Sequence, residues 1–285
     1  MKKTVRFLVL VCGILAVATV FPISYSQAQL QVDDVKTVAA LKAVLASSHR
    51  AEADTARDQH RHPLETLSFF GVKDNLTVVE VWPGGGWYTD ILAPFLKERG
   101  IYYAAGFDPQ ASVEFMRNGA QKYKEKLDAK PDLFGKVKTT VLYAPEKTDI
   151  APEGSADMVL TFRNVHNWMA SDQAATAFKA MYKALKPGGV LGVVEHRGNP
   201  AVPQDPKAAS GYVREDTVIK FAEDAGFKLA GRAEINANPK DTKDYAQGVW
   251  TLPPILQLKD VDKEKYLAIG ESDRMTLKFV KPAVK

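Results

Sequence analysis

From Leu76 onward, short apolar runs alternate with amphipathic stretches, and that alternation leaves few folds open to this chain. "LTVVEVW" is a continuous apolar run, suited to a strand covered on both faces. "WYTDILAPFLKERG" reads as a helix closed by Gly100 and kinked or shortened at Pro94. The runs "IYYAAGFD", "KVKTTVLYA", "ADMVLTFRNV" and "VLGVVEHR" read as further strands. Among them lie the helical stretches "ASVEFMRNGAQKYKEKL" and "SDQAATAFKAMYKALKPGG", the second with Ser171 as N-cap and "KPGG" as its stop. A helix "REDTVIKFAEDAGF" and two more strands, "KLAGRAEI" and "RMTLKFVKP", complete the pattern. Strands that alternate with helices bury both faces of a mostly parallel, doubly wound α/β sheet.

The two ends of this pattern carry different signals. "MKKTVRF" is basic, "FLVLVCGILAVATVF" is apolar, and Ser26-Gln27-Ala28 offers a small-x-small cleavage site. Residues 1–28 therefore read as a secretory signal peptide, cut after Ala28, with an apolar run short for a membrane span. Pro22 and the polar residues after it disfavour an uncleaved anchor, and Val11 before Cys12 disfavours a lipoprotein. The expected product is periplasmic or secreted, with no stable membrane insertion. Cys12 is the only cysteine, so the mature chain has no thiol, disulfide or cysteine metal site. Without Lys2, Lys3 and Arg6 the formal charge falls from +4 to +1, which argues against a nucleic-acid partner. Residues 29–63 read as a helical cap. Val35, Val38, Leu41 and Leu45 recur at helical spacing, and the helix is expected to continue, more polar, to Pro63. Residues 64–285 form the α/β domain. Its insert at about 236–271 is rich in turn residues and is expected to form a lid or wall.

The chemistry is concentrated at the strand ends. Open α/β sheets bind ligands at the carboxyl ends of their strands, where strand order reverses. In "VVEVWPGGGWYTD", Gly84, Gly85 and Gly86 let backbone approach a ligand closely, because no Cβ intervenes. Asp108 ends the next strand, where an acid can take both ribose hydroxyls. The plainer alternative is a tight turn with a surface aspartate. A dinucleotide fold would place a further glycine in the first helical turn. Trp87, Tyr88 and Thr89 stand there instead, which points to a cofactor without phosphates.

With these residues in order, the chain resembles the class I S-adenosylmethionine-dependent methyltransferases, and within them an exported branch. The resemblance covers roughly residues 64–281. "VVEVWPGGG" matches the family's first motif, with Glu80 as its acid and Gly84 and Gly86 as its later glycines. "GFDP" matches the ribose-binding turn through Asp108 and Pro109, and "ALKPGGVLGVVEH" resembles the segment leading into the fifth strand. The resemblance implies a Rossmann-like, seven-stranded sheet with its last strand antiparallel. It also implies S-adenosyl-L-methionine as cofactor and Glu80, Pro83, Gly84, Gly85, Gly86, Tyr88, Asp108, Pro109, Glu146, Arg163 and Asn164 as its contacts. Two departures stand out. Trp82 and Pro83 replace the family's first glycine and the residue after it. The acid usual after the third strand is missing from "YAPEKTD", where Ala144 and Pro145 stand, leaving Glu146 as its substitute.

Methyl transfer needs a base only when the acceptor must lose a proton. His166 after the fourth strand, with Glu195 and His196 at the end of the fifth, are the candidate catalytic residues. For each histidine a structural role is the alternative: His166 packing under Trp168, His196 pairing with Glu195. Arg163 and Arg197 can clamp a carboxylate, against the alternative of salt bridges to Glu195 or Asp157. Asn164 can contact a ligand or cap a helix. Arg57, Asp58, Arg61 and His62 are a possible gate by resemblance alone; otherwise they are a solvated helix face. Among Trp82, Trp87, Tyr88, Trp168 and Trp250, Tyr88 is the best placed to line a pocket, since it follows the loop directly. No metal site is expected: His60 and His62, two residues apart, diverge on a helix or a strand. The expected function is methyl transfer to a small-molecule acceptor. The alternative is a non-catalytic periplasmic binding protein on the same scaffold.

Overall fold

The computed structural model describes residues 25–283, with side chains from residue 35. The assigned leader lies outside the described residues as far as residue 24, and residues 25–28 begin the first helix. The chain divides into two compact units, residues 1–36 and 37–285. In the first, the described residues are helical throughout.

The elements in chain order are α1 (Tyr25–Leu45), α2 (Glu52–Thr55), α3 (Asp58–Arg61), α4 (Pro63–Phe70), β1 (Thr77–Val81), α5 (Thr89–Leu96), β2 (Ile101–Gly106), α6 (Glu114–Ala129), α7 (Pro131–Phe134), β3 (Lys138–Val141), β4 (Ala156–Phe162), α8 (Val165–Ala170), α9 (Ala174–Ala184), β5 (Leu185–His196), α10 (Glu215–Asp224), β6 (Lys228–Ala233), α11 (Lys263–Ile269) and β7 (Arg274–Val280). The strands form one sheet in the order β3-β2-β1-β4-β5-β7-β6. β1 to β5 run parallel, and β7 inserts antiparallel between β5 and β6. None of the helices among the described residues is long and apolar enough to cross a membrane.

Three local expectations need correction. The helix expected to run on to Pro63 ends at Leu45, and residues 46–62 break into the short turns α2 and α3. Pro63 starts α4 rather than stopping a helix, because its missing N–H costs nothing at a first helical position. The polar run lacks an apolar stripe to hold it against the core, so the chain bends instead of continuing. Ser171 closes α8, its hydroxyl donating to the Asn167 carbonyl at 3.0 Å, while Gln173 precedes α9. Val35 is exposed, whereas Leu41, near the end of α1, is fully buried.

The core lies on both faces of the sheet, as expected when parallel strands carry apolar residues throughout. One face packs Trp168, Phe178, Met181 and Val218 against β1, β4 and β5. The other packs Leu67, Phe70, Ile91 and Leu92 against the same strands. Contact there is close. A Cβ at Gly192, in β5, would lie 2.7 Å from Leu160 and 2.8 Å from Phe70. Gly192→Ala is therefore expected to cost about 1–3 kcal/mol by overpacking. Urea denaturation checks this, and an unchanged midpoint would refute it.

β1 is flanked by β2 on one side and β4 on the other, so the loops leaving β1 and β4 part and open a crevice. This is the switch point of a doubly wound sheet. β4 and β5 run parallel to their ends, with Phe162 beside Val194, so the residues following both strands emerge at one edge.

Candidate active site

The loop after β1 is built on left-handed backbone. Trp82, Gly84 and Gly86 have φ of 51°, 58° and 80°. A non-glycine residue there carries a steric cost, and Trp82 is held in place by its surroundings. Its amide donates to the Ala105 carbonyl at 2.8 Å. Its indole N–H donates to the Leu142 carbonyl at 2.9 Å, and the ring lies edge-on to Phe107 and Trp168. The indole thus fills the crevice between the ends of β1, β2 and β3. The Asn164 amide donates to the Val81 carbonyl at 2.9 Å and to Thr161 Oγ1 at 3.1 Å, tying the loop to β4. Asn164 precedes α8 but makes no side-chain cap, so the capping alternative is not what the structure has.

Two cavities flank this loop and share Trp82, Pro83 and Gly84. One, about 270 Å³, is polar and is lined by Arg57, Arg61, Glu80, Tyr88, Arg163 and Asn164 among others. The other, about 530 Å³, runs between β2, β3 and α6 and includes Phe107 and Pro109. A Cβ on Gly84 or Gly85 would meet nothing within 4 Å, so the loop faces open space there. Gly86 differs: a Cβ would press on Lys126 at 3.0 Å and Tyr123 at 3.2 Å, so its role is to admit α6. Tyr88 stacks on Phe162, ring centroids 3.5 Å apart.

Glu80 lies below the loop, buried, accepting hydrogen bonds from the Tyr102 hydroxyl and, at 3.4 Å, from Thr89. Burial pushes its carboxyl up to about 7, against the lowering effect of those bonds. Asp108 sits at the end of β2, where the sequence pattern puts a ribose-binding acid. It already accepts from Lys147 Nζ at 2.7 Å and from the Gln110 amide at 3.0 Å. The bond from Lys147 is the chief reason its carboxyl lies below the usual range. Glu146 is exposed in the neighbouring turn and lines neither cavity.

Next to the polar cavity, at the ends of β4 and β5, are the two histidines. Glu195 is fully buried and gathers four donors. One oxygen accepts the Val165 amide at 2.6 Å and the His166 amide at 3.3 Å; the other accepts the His196 amide at 2.7 Å and His166 Nδ1 at 3.0 Å. The expected pairing of His196 with Glu195 is therefore replaced by a His166–Glu195 pair. His196 Nδ1 instead shares a hydrogen bond with Ser272 Oγ at 2.5 Å. The two imidazole centroids are 5.3 Å apart, and Trp250, from the insert, lies edge-on to His166. Burial, followed by the neighbouring His166 and three arginines, holds His196 well below its ordinary value, so it is neutral at pH 7. Ligand atoms of His166, Glu195 and His196 lie within 4.8 Å of one another, a spacing that metals also use, but the surrounding guanidinium groups oppose added positive charge.

The arginines divide into two kinds. Arg197 is spent on Asp273 and Glu234, at 2.9 and 2.6 Å, and not on Glu195 or Asp157. Arg163 has left-handed backbone (φ 62°) and makes no side-chain hydrogen bond or ion pair among the described residues. Burial, then Arg274, pushes its guanidinium down to about 10. Glu271, Arg274, Ser272 and Lys147 were not legible as site residues. The run "ESDR" before the last strand was the available signal, but its partners lie about 210 residues away.

No protein-family model matches the chain, and no curated protein matches it in sequence. Solved structures do. A SAM-dependent methyltransferase from Aquifex aeolicus aligns with a TM-score of 0.52 at 18% identity, covering 79% of this chain and 93% of its own. A protein from Galdieria sulphuraria, assigned as a sarcosine dimethylglycine methyltransferase, gives 0.51 at 12%, covering 81% and 88%. A chain from the complex of the Haloferax volcanii Trm112 methyltransferase activator with its methyltransferase gives 0.50 at 17%, covering 87% and 99%. Strand order, the antiparallel β7 and these likenesses define the fold as the Rossmann-like type of the class I methyltransferases.

Proposed function

We propose that this chain is an S-adenosylmethionine-dependent methyltransferase acting on a small-molecule acceptor. The observation that carries the reading is the polar cavity over Gly84 and Gly85, at the switch point of a class I methyltransferase sheet. The residues fit the cofactor at its amino-acid end, where open glycines lie beside Arg163, which has no side-chain partner among the described residues, and beside the unsatisfied Nη1 of Arg61. At the ribose end the fit requires Lys147, whose side chain is 44% exposed, to turn away from Asp108. When bound, the cofactor supplies an electrophilic methyl group.

The chain's own residues do the rest. Tyr88, stacked on Phe162, and Asn164 fix the walls of the cavity. Glu195 accepts a hydrogen bond from His166 Nδ1–H, which keeps that proton on Nδ1 and leaves Nε2 as the acceptor atom on the ring. That nitrogen is the base for a hydroxyl or amine presented at the edge of β4 and β5, and Glu195 stabilises the imidazolium that forms. Neutral His196, held by Ser272, and Trp250 bound the acceptor on its other sides. Positioning supplies much of the remaining rate, because methyl transfer is an in-line displacement. The near-neutral charge without the leader supports a small acceptor rather than a polyanion, and the leader supports export.

A second reading, a non-catalytic binding protein, is favoured by the Trp82 indole in the crevice and by the Lys147–Asp108 pair. Calorimetry with S-adenosylmethionine and its demethylated product separates the two. Both should bind, and Asp108→Ala should weaken each by roughly 1–3 kcal/mol as charge-assisted hydrogen bonds are lost. Absence of binding to a folded protein would leave the second reading standing.

A further inference from the structure

The larger cavity at the glycine loop has no part in the proposed reaction. It lies beneath α6 and follows β3 along its whole length, from Val141 at the carboxyl end to Val137 just ahead of the strand. Its volume, about 530 Å³, falls within the range of small-molecule sites, about 300–1,000 Å³. Asp108, Arg163 and Asn164 do not line it, and neither do His166, Glu195 and His196. It meets the polar cavity only at Trp82, Pro83 and Gly84.

The gap originates in the sequence. α6 connects β2 to β3 and should lay an apolar stripe on the sheet. Its inward positions are Gly119, Ala120, Tyr123 and Leu127, at helical spacing, and the first two are the smallest residues available. β2 faces the same space with Ala104 and Gly106. Small residues therefore stand on both sides of a helix–sheet layer, and only Tyr123 of α6 is buried. A Cβ on Gly106 would meet nothing within 4 Å. Protein interiors pack as densely as organic crystals, so a space of this size is not the remainder of ordinary packing. Toward the strand ends Phe107 leans on α6: a Cβ on Gly119 would lie 2.7 Å from its ring, and Trp82 meets that ring edge-on.

The walls select the occupant. Lys124 and Asp128 are the charged residues of the lining, and they are bound to each other at 2.5 Å. The Trp82 indole N–H is committed to the Leu142 carbonyl, the Tyr123 hydroxyl shares a hydrogen bond with Thr89 at 2.9 Å, and the Thr140 hydroxyl donates to the Ile150 carbonyl at 2.7 Å. What remains toward the space is largely carbon, from Phe107, Leu127, Phe134, Val137 and Val141. A charged group here would lose water without gaining a counter-charge, whereas apolar surface gains by leaving water.

We propose that the space between α6 and strands β2 and β3 is a second ligand site, which takes an uncharged hydrophobic small molecule. The ligand packs against Leu127, Phe134 and β3 and reaches the glycine loop only at Trp82, Pro83 and Gly84. This site stands apart from the methyltransferase reading, which concerns other residues.

The test is fluorescence titration of the full chain with N-phenyl-1-naphthylamine, an uncharged probe that brightens on leaving water, in wild type, Gly106→Val and Ala120→Leu. The two substitutions fill the space from opposite walls. Each should weaken binding of the probe about tenfold or more, the loss of contact with about two methylene groups, while the urea midpoint stays at or above the wild-type value. In wild type, and so without reference to variant folding, the sulfonated analogue 1-anilinonaphthalene-8-sulfonate should bind about tenfold or more weakly than the uncharged probe. S-adenosylhomocysteine should leave the probe in place. No binding by wild type, equal affinity for the two probes, or unchanged affinity in a variant that keeps its urea midpoint would each overturn the site. Displacement of the probe by S-adenosylhomocysteine would overturn it too, because the space would then belong to the nucleoside.

Discussion

Replacing His166 with alanine is expected to lower methyl transfer by about 10²- to 10⁴-fold, the usual contribution of a positioned general base. Cofactor affinity should stay within about twofold, because His166 does not line the cavity at the glycine loop. The basis is geometric. His166 Nδ1 is committed to a carboxylate that three backbone amides also hold, so the ring cannot turn without breaking a buried network. In the proposed role of base, a ring held this way loses little entropy on reaching the transition state. Single-turnover rates against cofactor affinity would check the split. A variant that lost cofactor binding and turnover together would refute the assignment of His166 to the acceptor side.

Glu271→Gln is expected to cost about 3–5 kcal/mol of stability, the effect of removing one partner from a buried ion cluster. The carboxylate is 3% exposed and serves Arg57, Arg61 and Arg274, the last two also buried. Without it, two buried guanidinium groups face each other with no counter-ion. The exposed pair Lys124–Asp128, cut in the same way, should cost under about 1 kcal/mol and serves as the control. Urea denaturation compares the two, and a midpoint for Glu271→Gln equal to the control would show that the cluster contributes nothing.

The pH dependence of stability follows from the same groups. Burial works to raise the Glu271 carboxyl, but Arg274, Arg61 and Arg57 outweigh it and hold it far below its ordinary 4.5. The folded state therefore binds fewer protons than the unfolded one. Its contribution is complete above pH 4.5 and is lost as pH falls below that value. His196, also lowered, adds to this: the unfolded imidazole takes a proton near 6.5 and the folded one does not, so acidification below 6.5 destabilises. Glu80 has the opposite sign. Its raised carboxyl makes the folded state bind more protons between 4.5 and about 7, so its contribution falls as pH rises through that window.

The placement of the candidate site residues was legible in part because strand ends are local features. His166, Glu195 and His196 were placed together by their positions just after apolar runs, and parallel register brings those ends to one edge. The glycine loop was legible for the same reason. The direction of the side chains was not. Adjacent residues at a strand end have several partners within reach, so Glu195 pairs with His166, 29 positions away, and not with its neighbour's ring. Trp82 illustrates a second limit. Its departure from the family's glycine was plain, but only packed neighbours reveal that the indole closes the crevice and that Phe107 and Trp168 hold it there.

The sequence by itself determined the strands and the longer helices of the α/β domain and their order, since hydrophobic period, glycine and proline act over a few residues and need no distant partner. From that alternation the doubly wound sheet, the switch point and the ligand edge followed. Only the tertiary structure decided where charge is balanced. Arg57 and Glu271 are 214 positions apart, and the bend that breaks residues 46–62 out of a single helix is what brings them together. The same bend leaves Arg61 Nη1 buried without a partner beside the glycine loop. Electrostatic pairing depends on distance in space and on exclusion of water, and neither is written in the spacing of residues along a chain.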